Sequence, residues 1–234
     1  KVLTTESANE TLVDVFDGFL TWDWTHEDMV PVFPAVYGGK IALFGRKYHE
    51  YDEQYDQPGE DLDEIAFRQK TAQALVFGEQ LGWMSADLTD HTMAATSDFV
   101  RKAAQLRYDM GDYINGGEMA LPPAIEGTIP DITGDWFWGY HVNETMVTTS
   151  AVFSSAWMDD TGALVLFFAN ASDEAVTFDL NFQGGEYGFA VTQLLSIQSR
   201  DENGVFHTET LGSRFVKTID LDGESVLAIQ IVGL

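Results

Sequence analysis

The chain has 234 residues, of which 45% are apolar and 13% aromatic, and this composition excludes disorder as its general state. Its 38 acidic and 12 basic residues give a formal net charge of −26, and such a surface repels nucleic acid and anionic membranes. The absence of cysteine excludes disulfides, thiolate catalysis and cysteine-ligated metals, and no apolar run reaches the roughly 18 residues that span a bilayer.

Both halves of the chain are acidic, so the charge is a property of the whole surface. A lysine-poor, acidic surface suits high salt, where screening suppresses self-repulsion, and it equally suits an ordinary secreted bacterial or archaeal protein. Lys1 is not an initiator methionine, and no signal peptide is visible after it. We therefore expect a processed end, an engineered boundary or a break within a longer protein. We also expect a secreted or cell-surface location, with a cytoplasmic one left open.

The first half of the chain alternates extended runs with helical patterns. The predicted extended runs are 2–5, 19–22 and 40–45. Pro31 and Pro34 lie on either side of Val32 and Phe33, and Pro34 is expected to disfavour helical geometry at Phe33. A polar, tyrosine-rich loop is predicted over 46–63.

Helical periodicity dominates the sequence after this loop. The predicted elements are a helix from Asp61 or Asp63 to Phe77, a short strand at 81–84, and a helix from Thr96 or Ser97 to about Ile114. The first helix carries an apolar stripe made of Ile65, Phe67, Ala72, Leu75 and Val76, and Gly78 is a candidate for its end. This alternation of strand and helix predicts a parallel sheet that is buried on both faces.

The second half of the chain reads as strand after strand. The predicted strands are 146–157, 162–169, 175–182, 187–198, 204–210, 214–220 and 225–232. Regular turns between short alternating strands predict a sandwich. The fold class is therefore α/β plus all-β, with the last strands and helices of a (β/α)8 barrel followed by an antiparallel β-sandwich. The predicted domains are 1–117 for the barrel part, 118–145 for a linker and interdomain packing segment, and 146–234 for the β-sandwich.

Four stretches of sequence resemble one family. They are TTE (4–6) with VFDGFLTW (15–22), VPVFPAVY (30–37) leading into FGR (44–46), FRQK (67–70) with ALVFGEQLGW (74–83), and SAW (155–157) with LVLFFAN (164–170). The chain resembles the C-terminal part of a glycoside-hydrolase-like TIM-barrel protein, including a poorly characterised family of that type, with its trailing β-sandwich.

The resemblance implies that residues 1–115 supply roughly the last three strands of an eight-stranded barrel. The missing N-terminal barrel portion would then come from the same or another polypeptide. It also implies a carbohydrate substrate and cleavage of glycosidic bonds by carboxylate acid/base chemistry. From the net charge and the short apolar runs we expect no nucleic acid partner and no membrane span. The alternative is a noncatalytic carbohydrate-binding or structural module of an extracellular assembly. The aromatic cluster of Trp136, Phe137, Trp138 and Tyr140 is expected to pack the two domains together, with a carbohydrate platform as the other interpretation.

Two carboxylates are the catalytic candidates. Glu6 follows the first predicted strand, and barrel active sites are built at the carboxyl ends of strands. Glycoside hydrolysis generally needs two carboxylates, and the other interpretation of Glu6 is a cap on the segment after it. Asp23 lies in WDWTHED (22–28), where indole faces can stack on sugar rings and carboxylates can bind hydroxyl groups. The same tryptophans could instead pack at the barrel rim.

The substrate-binding candidates are Trp22, Trp24, His26, Tyr37, Arg46 and Trp83. Arg46 directly follows a strand end, where it either points into the site or forms a structural ion pair, and the sequence does not separate the two. Glu79 precedes the last predicted strand and is expected on the side away from the chemistry. His26, Glu27 and Asp28 are metal-competent residue types, but their side chains diverge because they are adjacent. We therefore expect no metal site and no cofactor.

Overall fold

The computed structural model describes residues 2–6, 8–21, 24, 30–46, 63–82, 84, 94–136 and 146–234. It mixes helices with sheets that are mostly antiparallel, which confirms the predicted mixture of helix and strand. The helices are α1 (Val32–Tyr37), α2 (Glu64–Val76), α3 (Ala94–Asp109) and α4 (Gly111–Gly116). Within the described ranges, no helix combines the length and the apolar character that a bilayer crossing requires.

The first three strands form a parallel sheet. They are β1 (Thr4–Thr5), β2 (Gly18–Leu20) and β3 (Ala42–Phe44), in the order β1-β2-β3. Thr5 lies opposite Phe19, and Leu20 lies opposite Phe44, so the three strands end at a common edge. Where the sequence predicts a strand at 81–84, the structure has a single parallel bridge between Gln80 and Phe44.

The prediction that Phe33 avoids helical geometry is wrong, because Phe33 and Pro34 both lie inside α1. Pro34 is the third residue of this helix, in the first turn. The N–H groups of a first turn have no partner within the helix, so a proline there removes no hydrogen bond. The steric restriction on Phe33 is a preference that the packing of its ring overrides, since this ring contacts Phe19, Trp24 and Tyr37.

Helix α2 begins and ends close to where the sequence places it. The side chain of Asp63 accepts a hydrogen bond from the N–H of Ala66, which caps the start. However, residues 66–76 are all buried, and Ile65 from the predicted stripe is exposed. Four of the five stripe residues are therefore buried as predicted, but the polar residues between them are buried as well and meet partners inside the protein.

The remaining strands are antiparallel. They are β4 (Glu118–Ala120), β5 (Ala124–Glu126), β6 (Asp131–Asp135), β7 (Met146–Ser150), β8 (Val152–Met158), β9 (Leu164–Asn170), β10 (Val176–Gln183), β11 (Leu194–Asp201), β12 (Gly204–Gly212), β13 (Arg214–Leu221) and β14 (Ser225–Gly233). They form a six-stranded sheet β12-β11-β14-β9-β8-β4, a three-stranded sheet β13-β10-β5 and the pair β6-β7.

The segment predicted as a linker contains three of these strands, β4, β5 and β6. Each pairs with a strand from the second half of the chain: β4 with β8, β5 with β10 and β6 with β7. The predicted strand 146–157 is divided at Ala151 into β7 and β8, which belong to different sheets. In both cases the strand boundaries depend on pairing with residues far away in the sequence, and local β-propensity does not predict that pairing.

The six-stranded sheet is the central layer of this part of the molecule. One face packs on α2, α3 and α4 in a core that includes Phe99, Trp157 and Phe167. The opposite face packs on the three-stranded antiparallel sheet through residues such as Phe168 and Phe178. Phe167 and Phe168 serve opposite faces because successive side chains of a strand alternate. Trp157 is 1% exposed and therefore belongs to the core on the helical face of this sheet.

Candidate functional site

The candidate site is the edge where β1, β2 and β3 end. The residues that directly follow these strands are Glu6, Thr21 and Gly45, and Arg46 comes next. Glu6 is exposed, whereas Thr21 and Arg46 are fully buried. The edge therefore combines one carboxylate that is open to solvent with a polar cluster beneath the surface.

Arg46 is the centre of this buried cluster. Its Nη2 donates to Oε1 of Glu79 and its Nε donates to Oε2 of the same carboxylate at 3.3 Å. Its Nη1 donates to the carbonyl oxygen of Trp24 at 2.7 Å and to Oε1 of Gln73. The hydroxyl of Thr21 donates to Oε2 of Glu79 at 2.5 Å. Four of the five guanidinium N–H groups are thus satisfied, as a buried arginine requires.

The structure favours the ion-pair interpretation of Arg46 over the one in which it points freely into a site. Arg46 and Glu79 both have 0% exposed side chains, so neither is available to a solvent-borne ligand. The position of Glu79 relative to the chemistry stays a prediction, but its carboxylate does contact residues that follow β2 and β3 at the strand ends. The backbone turn at Gly45, with φ of 78°, precedes the entry of Arg46 into the cluster.

Glu79 reaches this cluster because of how α2 ends. Gly78, with φ of 74°, donates its N–H to the carbonyl of Leu75, and Glu79 donates to the carbonyl of Ala74. This pair of bonds is a Schellman motif, which confirms Gly78 as the end of the helix. Sequence reasoning missed Glu79 as a partner of Arg46, because the two residues are 33 positions apart and no local pattern joins them.

Trp24 joins the cluster through its ring and its backbone. The guanidinium of Arg46 lies 5.7 Å from the centre of the Trp24 ring. The ring of Phe33 meets Trp24 edge-on at 6.3 Å, and the N–H of Trp24 bonds to the carbonyl of Thr21 at 3.0 Å. Trp24 as a whole remains partly exposed.

Of the other predicted site residues, the structure describes Tyr37 and leaves four outside the described ranges. Tyr37 is the last residue of α1 and packs on Phe33, with ring centres 4.9 Å apart. It precedes β3, so it lies towards the opposite end of the strands from Glu6. Four further candidates, Trp22, Asp23, His26 and Trp83, lie outside the described residues. Across the described ranges, no group of three or more His, Asp or Glu side chains is placed to hold a metal ion.

A cavity of about 410 Å³ lies at the opposite, amino-terminal edge of the parallel sheet. Its lining includes Lys40, Arg107 and Asn115. Arg107 donates to the carbonyl groups of Glu79 and Gly78 at 2.6 and 3.2 Å, and burial lowers the pKa of its guanidinium. These bonds satisfy carbonyl groups at the end of α2, so Arg107 has a structural role there.

The comparison with curated proteins gives a relative whose name states a class of enzyme. The chain is 26% identical over 211 residues to "Putative glycoside hydrolase 22789" of Monosiga brevicollis. The match covers 76% of this chain and 16% of that protein, so the chain spans only a small part of its relative. The resemblance to a glycoside-hydrolase-like protein is thereby confirmed. No family model matches the chain.

Several solved glycosidases are similar in coordinates at low sequence identity. A GH27 β-L-arabinopyranosidase from Geobacillus stearothermophilus has a TM-score of 0.48 and 10% sequence identity, and the match covers 98% of this chain and 49% of the arabinopyranosidase chain. A maltogenic α-amylase from Thermotoga neapolitana has a TM-score of 0.48 and 12% sequence identity, and the match covers 100% of this chain and 55% of the amylase chain. An α-galactosidase from Mortierella vinacea has a TM-score of 0.43 and 11% identity, covering 95% and 55%. This chain therefore spans about half the length of these structures.

Proposed function

We propose that the chain is the terminal part of a glycosidase, with the last strands and helices of a (β/α)8 barrel followed by an antiparallel β-sandwich. The observation that carries the proposal is the common carboxyl edge of β1, β2 and β3, where Glu6, Trp24 and Arg46 follow successive strands. Barrel enzymes build their active sites at this edge. The relative named as a glycoside hydrolase supports the same class of reaction.

In this proposal Glu6 is one of the two carboxylates that glycoside hydrolysis uses. Its exposure leaves it able to exchange a proton with a glycosidic oxygen or with water, which the buried Glu79 is not. The second carboxylate is Asp23 or a residue of the barrel portion that would precede Lys1. We further propose that this preceding portion pairs with β1, because Val2 and Leu3 beside that strand are exposed.

A noncatalytic carbohydrate-binding role is the second candidate, and one observation favours it. Of the two carboxylates that the structure describes around this edge, Glu79 is fixed by Arg46 and Thr21, so only Glu6 is free to react. An aromatic residue beside polar groups is sufficient to bind a sugar without cleaving it.

The experiment is a hydrolysis assay on a panel of neutral oligosaccharides, using the longest natural chain that contains these residues. Glu6→Gln is expected to abolish turnover while sugar binding persists, since the amide keeps the shape but cannot transfer the proton. Glu10→Gln is the matched control, because Glu10 is also exposed and lies on the nearby 3-10 helix. Unchanged turnover in Glu6→Gln removes Glu6 from the mechanism, and binding without turnover in the unmodified protein supports the noncatalytic role.

A further inference from the structure

The buried pair of Arg46 and Glu79 is an unusual feature in a chain with only 12 basic residues. Removing two charges from water is costly, and apolar residues of similar volume often serve stability as well or better. A buried ion pair is therefore explained better by what it holds in place than by its contribution to stability. Its partners outside the pair are Thr21, Gln73 and Trp24.

Of these partners, Trp24 is the one that reaches the surface. Arg46 contacts it twice, through the hydrogen bond to its carbonyl oxygen and through the approach of the guanidinium to its ring. The two contacts fix both the backbone and the plane of the indole. Phe33 adds an edge-on contact, so the ring has few alternative positions.

Glu79 sets the orientation of the guanidinium that makes these contacts. Its Oε2 accepts hydrogen bonds from both Arg46 and Thr21. Thr21 directly follows β2, and Trp24 bonds to its carbonyl group. The end of β2, the end of α2 and the start of the segment after β3 are thereby tied to one carboxylate.

We propose that Arg46 is a positioning residue that holds Trp24 in the orientation needed to stack on a glycan, and this inference rests on the proposed function. Arginine is required because its planar fork binds Glu79, Gln73 and the Trp24 carbonyl at once. A lysine at this position has no such plane and cannot make all four bonds. Arg46 itself does not touch the sugar.

The test follows Trp24 by ¹⁹F NMR in protein that is labelled with 5-fluorotryptophan. Trp24→Phe assigns the signal, and Trp136 and Trp157, which are buried, report whether the fold is retained. Arg46→Lys is expected to shift and broaden the Trp24 signal while those of Trp136 and Trp157 stay in place. An unchanged Trp24 signal in Arg46→Lys overturns the inference.

A milder variant keeps the test decisive should Arg46→Lys fail to fold. Thr21→Val is nearly isosteric and removes the hydroxyl, which contacts Glu79 at 2.5 Å and the carbonyl of Phe44 at 3.2 Å. Its matched control is Thr71→Val, because Thr71 is also fully buried and its hydroxyl bonds only to a carbonyl of its own helix. Thr21→Val is expected to move the Trp24 signal and Thr71→Val to leave it, and equal effects of the two overturn the inference.

The second arm measures the Kd for neutral oligosaccharides in the same variants. Arg46→Lys is expected to weaken binding by about 2- to 10-fold, because a Trp24 ring that is no longer held in place must be ordered when the sugar binds. A moved Trp24 signal with unchanged affinity overturns the positioning role. If the unmodified protein binds no oligosaccharide, the proposed function is overturned, and the NMR result alone then decides whether Arg46 fixes Trp24.

Discussion

At the scale of single residues, the most informative contrast is between two ion pairs of this acidic chain. Arg46 and Glu79 are completely buried, whereas Lys40 and Glu118 pair at 3.4 Å with side chains that are 62% and 76% exposed. Buried pairs leave an uncompensated charge behind when one partner is lost, but exposed pairs exchange their partner for water.

This contrast predicts the effect of the same substitution at two positions. Glu79→Gln leaves Arg46 buried without a counter-charge, and we expect it to lower the free energy of unfolding by about 3–5 kcal/mol. Glu118→Gln is the control and is expected to change it by less than about 1 kcal/mol. Urea denaturation monitored by circular dichroism measures both, and equal effects at the two positions contradict the burial of the Arg46 pair.

Tyr187 makes a prediction about alkaline pH. Burial, with the nearby charge of Glu186, raises the pKa of its hydroxyl to about 12 from an ordinary value of 10.0. The folded state thus holds this proton at pH values where the unfolded chain has lost it. The contribution of this hydroxyl to the free energy of unfolding is fully present below pH 10. It declines by about 1.4 kcal/mol per pH unit between pH 10 and 12.

The variant Tyr187→Phe removes this titration and the hydrogen bond from the hydroxyl to the carbonyl of Leu121. It is expected to be less stable than the unmodified protein at pH 8 by about 1 kcal/mol, and to lose less stability between pH 9 and 11. Tyr108→Phe, at an 81% exposed position, is the control. It is expected to change neither the stability at pH 8 nor the loss of stability between pH 9 and 11. An identical alkaline decline in Tyr187→Phe is inconsistent with a buried hydroxyl.

At the level of elements, the sequence predicts where α2 begins and ends but does not predict how completely it is buried. Its bounds are marked by local chemistry, with Asp63 capping one end and Gly78 the other, and both signals lie within a few residues. Its burial is not local. Gln69, for example, bonds to Trp136, Thr149 and the carbonyl of Ile132, partners that are more than 60 residues away.

The same distinction applies to the candidate site and to Trp136. The order of strands and the residues at their ends can be predicted, so Glu6, Trp24 and Arg46 were named from the sequence. The choice between a free and a paired Arg46 depended on Glu79, 33 positions away, and no local pattern decides it. Trp136 is 1% exposed and its Nε1 donates to Gln69, so this residue packs internally and is not part of a carbohydrate platform. Phe137, Trp138 and Tyr140 lie outside the described residues.

The end of α2 also provides a prediction. A Cβ at Gly78 would lie 2.7 Å from the ring of buried Trp157, and the residue has φ of 74°. Gly78→Ala is therefore expected to destabilise the protein by about 2–4 kcal/mol, from backbone strain and overpacking together.

Gly116→Ala is the matched control for this change. Gly116 is the last residue of α4, and a Cβ there meets no atom within 4 Å. Alanine is expected to leave stability unchanged or to raise it by up to about 1 kcal/mol, because it favours helix. Thermal unfolding of both variants is the measurement, and a tolerated Gly78→Ala contradicts the Schellman ending of α2.

At the scale of the whole molecule, the net charge of −26 governs how the protein responds to salt. Self-repulsion between carboxylates destabilises a compact state, and salt screens this repulsion. Raising NaCl from about 0.05 M to about 1 M is therefore expected to increase the urea midpoint of unfolding. A midpoint that does not move, or that falls, means that favourable ion pairs outweigh repulsion across this surface.

We propose that a glycan binds at the carboxyl edge of the parallel sheet. Hydrogen–deuterium exchange with and without a bound neutral oligosaccharide tests the location directly, because it reports on each segment of the backbone. When the sugar is present, we expect slower exchange at 4–6, 18–24 and 44–46 and little change in β10 to β14. Protection confined to the antiparallel strands, or to the cavity beside Lys40 and Arg107, would contradict it.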